Sequence, residues 1–478
     1  MDHLQAFVTY GVKNLFLTEP EIALDRLTQL YKLPKTTYKP IDQSIEKTLL
    51  ALLDQAYLLR LFDLDTIAER DAFEAYLFDF IMPSPKTVKT TFLSQYQSNP
   101  KAAFDYLYWI SKAVNYIKMN RIAQNIEYTY ESLYGKLQIT INLSKPEKDP
   151  KDIAKALNQP NLIKTGPKCL LCKENEQNYA NARMNLRIVP VMLHHRLWHF
   201  QYSPYAYYNE HCIVLSDTHT PMKIGLDTFE YLLDFVDFMP DYFIGSNADI
   251  PIVGGSILDH DHFQGGKHQF PIEQAKSIFT LQSESVSISH LYWPLSTIRL
   301  TSDDREALTR LANRILTAWL NYENKELSIL KQTDGLHNTI TPIVRKKDNI
   351  YTMEIILRNN RTSIEFPEGI FHPHRDVQHI KKENIGLIEA MGLAILPGRL
   401  KQELKDGLDY ILNNHWHDDL TIHKVWLDDL KKDQTIQSLN DLYQAVGLKF
   451  QTVLEHAGVF KLNPAGIEAM KAFILSIK

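Results

Sequence analysis

The spacing of apolar residues changes near residue 160, and this change constrains the fold more than any other feature of the chain. Before it, residues 21–31 repeat apolar side chains at intervals of three and four, which predicts a helix packed on one side. After it, residues 211–216 form a short apolar run and residues 285–289 alternate polar and apolar side chains, which predicts β-strands. We therefore expect an α+β fold, with a helical N-terminal region followed by antiparallel strands flanked by helices.

The chain has 478 residues, which is more than one ordinary hydrophobic core holds. A polar stretch with two prolines at residues 145–152 is typical of a linker. We predict three domains, and their ranges are 1–160, 161–298 and 299–478. Within the last of them, a turn-like sequence at residues 346–349 lies between two apolar runs, which predicts a β-hairpin.

Composition excludes several classes of partner. The formal net charge is −5, so the chain lacks the basic surface that nucleic acid or an anionic membrane would require. No run of about eighteen apolar residues could span a bilayer, and residues 1–5 do not resemble a signal peptide. The chain has only three cysteines, Cys169, Cys172 and Cys212, which fits a reducing compartment. We expect a cytoplasmic protein.

The sequence Asp-His-Asp-His-Phe-Gln-Gly-Gly at residues 259–266 is the strongest candidate for a chemical site. In an extended segment, alternate residues point to the same face, so His260, His262 and Gln264 would line one surface. The preceding segment, residues 247–256, ends in Gly-Gly-Ser, and glycines let backbone amides approach a phosphate closely. The pattern therefore indicates phosphate chemistry, although a bare pair of histidines could also bind a metal or pack in a strand.

A histidine at such a position suits nucleophilic attack on phosphorus. A neutral imidazole needs no proton removed before it attacks, provided that its other nitrogen gives a proton to an acceptor such as a carbonyl. Gln264 could donate its amide to a non-bridging phosphoryl oxygen. A sugar phosphate leaving group is already an anion, so positioning should supply most of the rate.

Residues 249–266 closely resemble the signature of the class II hexose-1-phosphate uridylyltransferases, bacterial enzymes of galactose metabolism (the Leloir pathway) in the histidine-triad superfamily. The resemblance extends along the chain, at residues 80–83, 105–117, 198–208 and 386–399. It implies histidine-triad-like antiparallel sheet domains that follow extra helical sequence.

The resemblance also implies a ping-pong reaction. UDP-glucose gives its uridylyl group to a histidine and releases glucose 1-phosphate, and galactose 1-phosphate then leaves as UDP-galactose. By position in the motif, His262 carries the uridylyl group and Gln264 binds phosphate. Asn247, Gly255 and Ser256 correspond to contacts with the phosphate and the nucleotide. A homodimer without an organic cofactor is the family expectation.

Cys169-Leu-Leu-Cys172 has the spacing of a zinc knuckle, and free structural thiols or a redox pair are the alternatives. The resemblance implies that His219 and His260 complete the site. Other histidines compete for these places, namely His194, His195, His199 and His211. A metal here would be structural, because it would fix the segment that carries His262.

Three further features suggest ligand contacts. His372-Pro-His374 matches the nucleophile motif of the class I enzymes, but it lacks the Gly-Gly-Ser loop and the glutamine. We interpret it as a loop pair without a special role, with a second metal or a sugar-phosphate contact as alternatives. Arg187, four residues after Arg183, is a candidate for binding phosphate. Glu389 resembles the family's hexose-contacting glutamate.

Two other functions would use the same residues. A histidine-triad hydrolase or phosphorylase would pass the nucleotidyl group from histidine to water or phosphate. A zinc-stabilised binding protein would perform no chemistry. Dependence of turnover on a sugar phosphate separates the transferase from the first of these, and substitution of His262 separates it from the second.

Overall fold

The computed structural model describes residues 1–14, 16–144, 166–255 and 257–477. The predicted linker at residues 145–152 and the candidate Ser256 lie outside these residues. None of the described helices is long and apolar enough to cross a membrane.

The N-terminal region is helical, as its apolar spacing predicts. Its helices are α1 (Asp2–Lys13), α2 (Pro20–Leu30), α3 (Ile45–Leu58), α4 (Ile67–Asp79), α5 (Pro85–Ser98), α6 (Pro100–Ala113) and α7 (Met119–Ile122). The side chains of Ser44, Thr66, Ser84 and Asn99 each accept a hydrogen bond from an amide in the first turn that follows. These caps satisfy amides that have no partner within the helix, and they fix where the helices begin.

The described strands form two sheets. A three-stranded sheet contains β1 (Ile126–Ser132), β2 (Gly135–Asn142) and β13 (Leu393–Pro397), with β13 parallel to β2. The other strands are β3 (Val189–Leu193), β4 (Arg196–Tyr202), β5 (Cys212–Ser216), β6 (Phe243–Gly245), β7 (His262–Gly266), β8 (Ser277–Ser283), β9 (Val286–Leu291), β10 (Thr297–Ser302), β11 (Asn338–Lys347) and β12 (Ile350–Asn359). These ten form one antiparallel sheet in the order β3-β4-β5-β7-β6-β11-β12-β10-β9-β8.

The remaining described helices lie later in the chain. They are α8 (Leu226–Phe238), α9 (Arg305–Leu320), α10 (Leu387–Ala390), α11 (Leu400–Asn413), α12 (Lys424–Asp433), α13 (Leu439–Ala457) and α14 (Pro464–Ile477). Short 3₁₀ helices occur at Lys173–Asn175, Tyr179–Asn181, Pro271–Gln274 and Asp418–His423. Helices combined with large antiparallel sheets confirm the predicted α+β class.

The large sheet separates two hydrophobic cores. Ile244 and Ile355 face the core that contains the N-terminal helices, whereas their neighbours Phe243 and Ile356 face the core that contains the small sheet. This alternation follows from the two-residue period of a strand. The predicted domain boundary at residue 298 falls within β10, so strands on both sides of that boundary share one sheet.

Arg187 joins the N-terminal helices to the large sheet. Its guanidinium is buried, with Nη2 3.4 Å from an Asp79 carboxylate oxygen at the end of α4. Nε donates to the carbonyl of Pro83 at 3.0 Å, and Nη1 donates to the carbonyl of Met184 at 3.0 Å. Because the protein itself takes up these donors, the contacts of Arg187 do not support the phosphate-binding role predicted for it.

We expect Arg187→Ala to lower the free energy of unfolding by about 3 kcal/mol, because it removes the cation beside Asp79 and the donors to three backbone carbonyls. Arg196→Ala is the matched control. Arg196 is exposed and lies 3.3 Å from Asp227, so its loss should cost about 0.5 kcal/mol. Urea unfolding at neutral pH measures both values, and equal effects of the two substitutions would contradict this role for Arg187.

Candidate active site and metal centre

The nucleophile candidate begins strand β7. Phe263 is buried in the core, where its ring stacks on Trp198 with centroids 4.9 Å apart. His262 and Gln264, one residue to either side, therefore point to the opposite face of the sheet. For His262 and Gln264 this is the alternation that the sequence predicts, whereas His260, predicted to line the same surface, lies in a bend before β7 with its ring beside Cys169.

The hydrogen bonding of His262 defines which ring nitrogen carries the proton. Nδ1 lies 2.8 Å from the carbonyl oxygen of His260, and a carbonyl can only accept, so Nδ1 holds the hydrogen. No described residue forms a hydrogen bond with Nε2, which therefore keeps its lone pair. Burial lowers the pKa of His262 to about 4, so the ring is neutral near pH 7. A buried neutral imidazole with a free lone pair is a competent nucleophile.

Two cysteines and two histidines converge next to this strand. The four ligand atoms of Cys169, Cys172, His219 and His260 lie within 4.8 Å of one another. His260 Nδ1 is 3.3 Å from Cys169 Sγ, and His219 Nδ1 is 3.2 Å from Cys172 Sγ. The structure thus brings together the four residues predicted as ligands, in an arrangement compatible with a structural metal.

The outer nitrogens of both histidines have acceptors. His260 Nε2 donates to the carbonyl of Ser216 at 3.0 Å, and His219 Nε2 lies 3.3 Å from an Asp259 carboxylate oxygen. Each ring therefore presents the lone pair of Nδ1 to the cysteines, which is the usual way a metal-binding histidine is oriented. His199, a competing histidine, is instead paired with Asp217 at 2.7 Å.

The environment of the cysteines does not suit a redox function. Burial raises the pKa of Cys169 to about 11, and the neighbouring Cys172 acts in the same direction. Reactive thiols have a lowered pKa, so Cys169 lacks the character of a redox nucleophile. Cys212 is fully buried in β5 and lies outside the cluster.

The loop before β7 is held by close backbone contacts. A Cβ atom on Gly254 would lie 2.3 Å from the carbonyl oxygen of Ala248, and one on Gly255 would lie 3.0 Å from the side-chain nitrogen of Asn247. Asn247 is buried, and its oxygen accepts a hydrogen bond from the amide of Leu387 at 2.8 Å. Asn247 and Gly255 therefore lie together, and Asn247 ties the loop to α10.

Glu389 reaches the same region from α10. Its carboxylate is 2.9 Å from the ammonium of Lys381, which is buried. A Cβ atom on Gly386 would lie 3.4 Å from Glu389 Oε2 and 3.1 Å from Asn247 Oδ1. The side chains of Asn247 and Glu389 therefore both lie against Gly386, which has no side chain of its own.

One residue of this surface, His211, was considered in the sequence only as a metal ligand. Ile213 lies opposite Gln264 in the β5–β7 ladder, so His211 is a diagonal neighbour of Gln264 on the same face. Burial lowers the pKa of His211 to about 3, and contact with the Gln264 amide opposes this effect. The rings of Tyr207 and Tyr208 cover His211, with centroids 5.3 Å and 4.5 Å away.

The contact between His211 and Gln264 falls short of full hydrogen-bond geometry. Both ring nitrogens of His211 and Oε1 of Gln264 are buried without a full hydrogen bond to any residue that the structure describes. A small rotation would let the ring donate to Oε1, leaving the Gln264 amide nitrogen for a phosphoryl oxygen. In the sequence, His211 lies two residues before Ile213, a spacing that puts both side chains on one face of a strand. This spacing points to Gln264 only once β5 is known to pair with β7.

The contacts of the second histidine pair are structural. The ring of His374 is stacked against Phe366 and His456, with centroids 4.2 Å and 4.1 Å away. His372 Nδ1 is 3.1 Å from the carbonyl of Pro373, and its Nε2 is 3.3 Å from Asn384 Oδ1. These contacts favour the interpretation of this motif as a packed loop.

The arrangement at β7 can therefore attack phosphorus. A neutral imidazole presents a free Nε2, and a glutamine amide lies on the same face. Strand β6, which leads into the glycine loop, pairs with β7 at Gln264. The Cys/His cluster fixes the residue whose carbonyl orients the nucleophile. Glu389 and Asn247 supply polar groups where the rest of a substrate could bind.

Two family models match most of the chain. Residues 33–221 match galactose-1-phosphate uridyl transferase, N-terminal domain, and residues 235–428 match the C-terminal domain of the same family. Among solved structures, the crystal structure of yeast Ap4A phosphorylase Apa2 has 11% sequence identity and a TM-score of 0.34, and the match covers 72% of this chain and 93% of that chain.

Curated relatives match over most of their own length. A galactose-1-phosphate uridylyltransferase of Clostridium acetobutylicum is 50% identical over 430 residues, covering 86% of this chain and 85% of the relative. One of Clostridium perfringens strain 13 is 43% identical, covering 99% of this chain and 98% of the relative. One of Staphylococcus saprophyticus is 48% identical, covering 86% and 84%. Matches of this identity and extent show that the chain is a transferase that belongs to the galactose-1-phosphate uridylyltransferase family.

Proposed function

We propose that this enzyme transfers UMP from UDP-glucose to galactose 1-phosphate through a uridylyl group carried on His262. The single observation that carries the proposal is the hydrogen bond from Nδ1 of His262 to the carbonyl of His260, which leaves the lone pair on Nε2. The names of the relatives support the substrates, and the geometry of β7 supports the nucleophile.

In the first step, Nε2 of His262 attacks the α-phosphorus of UDP-glucose. A nitrogen–phosphorus bond forms, the bond from that phosphorus to the bridging oxygen breaks, and glucose 1-phosphate leaves with the electron pair. In the second step, a phosphate oxygen of galactose 1-phosphate attacks the same phosphorus and the nitrogen–phosphorus bond breaks. In the first step glucose 1-phosphate leaves as an anion, and in the second step the imidazole of His262, which keeps its proton on Nδ1, leaves as a neutral group. Neither leaving group needs a strong general acid.

Gln264 would stabilise charge on the phosphoryl oxygens during both steps. Its amide nitrogen lies on the face of β7 that carries His262, and an oriented donor lowers the barrier where charge develops. His211 would act as a positioning residue, because a bond from its ring to Gln264 Oε1 selects the orientation of the amide. Asn247 and Gly255 would position the substrate, with Glu389, held by Lys381, at the hexose.

We infer that the metal is zinc. A tetrahedral zinc ion with bonds of about 2.3 Å to sulfur and about 2.0 Å to nitrogen spaces its ligand atoms about 3.3–3.8 Å apart. The distance between Sγ of Cys169 and Sγ of Cys172 is 3.7 Å, and His260 Nδ1 is 3.7 Å from Cys172 Sγ. Four protein ligands close the coordination sphere, so the ion would hold the segment before β7 and would not activate water. The homodimer that the resemblance implies belongs to the same proposal, and light scattering tests it.

The covalent step can be tested by intact mass. We expect the enzyme to gain the mass of one UMP when it is mixed with UDP-glucose and quenched in denaturant at alkaline pH, where a phosphoramidate survives. Addition of galactose 1-phosphate should remove the adduct. His262→Asn should form no adduct and should lose transfer by about 10³-fold or more.

His372→Asn is the matched control, because it removes a buried histidine from the other motif, and it should still form the adduct. Transfer by the unsubstituted enzyme without any adduct would contradict the nucleophilic role of His262. An adduct that decays equally fast with and without galactose 1-phosphate would indicate a hydrolase.

The metal proposal can be tested with cysteine variants. We expect the purified enzyme to contain about one zinc ion per chain by elemental analysis, and Cys172→Ser to lose most of it and to unfold at a lower temperature. Cys212→Ala is the control, because this buried cysteine lies outside the cluster, and its metal content should be unchanged. Full zinc content in Cys172→Ser would overturn the assignment.

The role of His211 can be tested by a substitution that keeps its packing. His211→Phe preserves a ring between Tyr207 and Tyr208 but removes the donor, so we expect kcat to fall about tenfold to a hundredfold with a smaller change in KM. Because burial keeps the pKa of His211 at about 3, its ring is neutral from pH 5 to 9 and the loss should not vary with pH. His211→Gln retains a donor and should recover part of kcat. Equal activity of the two variants would contradict the positioning role.

A further inference from the structure

A cavity of about 490 Å³ lies away from the Cys/His cluster, between the small sheet and the N-terminal helices. Glu127 pairs with Thr140 and Thr129 pairs with Gln138 in the β1–β2 ladder, so these four side chains share one face of the small sheet. They form the floor of the cavity. Residues 206–209 and His268 line one wall, and Tyr108 with residues of α7 lines another. The volume is in the range of sites for small molecules.

The polar groups of the cavity are held in place. His268 Nε2 lies 2.8 Å from Gln138 Oε1, and Gln138 Nε2 donates to the carbonyl of Gln269 at 3.2 Å. Burial lowers the pKa of His268, so its ring is neutral near pH 7 and can donate through Nε2 to the amide oxygen. The amide of Gln138 therefore has one orientation before any ligand binds, which lowers the cost of binding.

The charges of the residues that line the cavity indicate which class of ligand it can bind. Of the described residues that line the cavity, none is lysine or arginine, and Glu127 supplies a carboxylate. A phosphate or a nucleotide phosphate would meet that carboxylate without a compensating cation. The lining residues are better suited to a ligand with hydroxyl groups. Glu127 can accept hydrogen bonds from hydroxyls, and the side-chain amides of Gln138 and Asn209 can both donate and accept them.

The cavity is separate from the nucleophile. The four residue steps from His262 to Gly266 at about 3.3 Å each put about 13 Å between the ends of β7, and His268 follows beyond its end. A hexose 1-phosphate carries its phosphate directly on the ring. A hexose bound beside His268 therefore could not present that phosphate to Nε2 of His262. Tyr207 is the link between the two regions, because it lines the cavity and its ring also packs against His211.

We propose that this cavity binds a neutral hexose at a site distinct from the one that transfers UMP. The inference rests on the shape, the hydroxyl-matching side chains and the absence of a cation among the described lining residues. It does not depend on which residue carries the uridylyl group.

The full-length enzyme should bind galactose or glucose with a dissociation constant of about 1 mM, which is usual for a small polar ligand. Isothermal titration or saturation-transfer NMR measures this. Thr129→Trp should fill the cavity and abolish binding, and Glu127→Gln should weaken it by about tenfold. Both variants should keep the thermal unfolding temperature and the UMP transfer rate, which verifies that they fold.

Glu131→Gln is the matched control, because Glu131 lies on the same face of β1, is exposed, and is not among the lining residues. It should bind hexose normally, and saturation with UDP-glucose should leave hexose binding intact. Displacement of the hexose by UDP-glucose or by uridine would overturn the proposal. So would tighter binding of glucose 1-phosphate than of glucose, unchanged binding by Thr129→Trp, or no binding in the millimolar range.

Discussion

The site depends on the position of one residue, His260, which takes part in two different sets of contacts. Its ring lies in the cysteine cluster and donates to the carbonyl of Ser216, while its own backbone carbonyl accepts the proton of His262 Nδ1. A free imidazole can carry its proton on either nitrogen, and the carbonyl of His260 selects Nδ1. In the proposed mechanism the cluster would therefore act without touching a substrate, because it holds the residue whose carbonyl keeps the lone pair of His262 on Nε2.

Strand β7 is short, and contacts beyond its ends add to the pairing with β5 and β6. Before it, the amide of Asp261 donates to the carbonyl of Thr220 at 2.7 Å, and Ser216 donates to the carbonyl of Asp261 at 3.0 Å. After it, the amide of Lys267 donates to the carbonyl of Asn209 at 3.1 Å. Gly266 has a φ of +153°, and a Cβ atom there would lie 2.8 Å from the carbonyl oxygen of Glu210. Both ends are fixed, which suits a reaction whose rate depends on positioning.

Local patterns in the sequence predicted the features that depend on neighbouring residues. The turn expected at residues 346–349 is found, with Asp348 and Asn349 at φ of 48° and 63°, as a two-residue hairpin turn requires. The side-chain alternation around His262 was equally local. By contrast, the contacts of Arg187 with Asp79 and of His211 with Gln264 join distant parts of the chain. The spacing of residues in the sequence therefore could not predict them.

The parallel pairing of β13 with β2 could not be predicted for the same reason, because about 250 residues separate the two strands. The ligands of the Cys/His cluster could be predicted in part from local sequence. The two-residue gap between Cys169 and Cys172 is a local signal, whereas the choice of His219 over His199 came from the resemblance. In the fold, His219 lies in the cluster whereas His199 is paired with Asp217, which is compatible with that choice.

The face that His262 presents is determined by the core on the other side of the sheet. Phe263 is buried against Trp198, and burial of such a ring stabilises the fold by about 2 kcal/mol. A shift of β7 by one residue would expose Phe263 and turn His262 and Gln264 into that core. Gly265 reinforces the register, since a Cβ atom there would lie 2.6 Å from the carbonyl oxygen of Phe243. The same hydrophobic packing that stabilises the sheet thus selects which side chains of β7 are available for the proposed reaction.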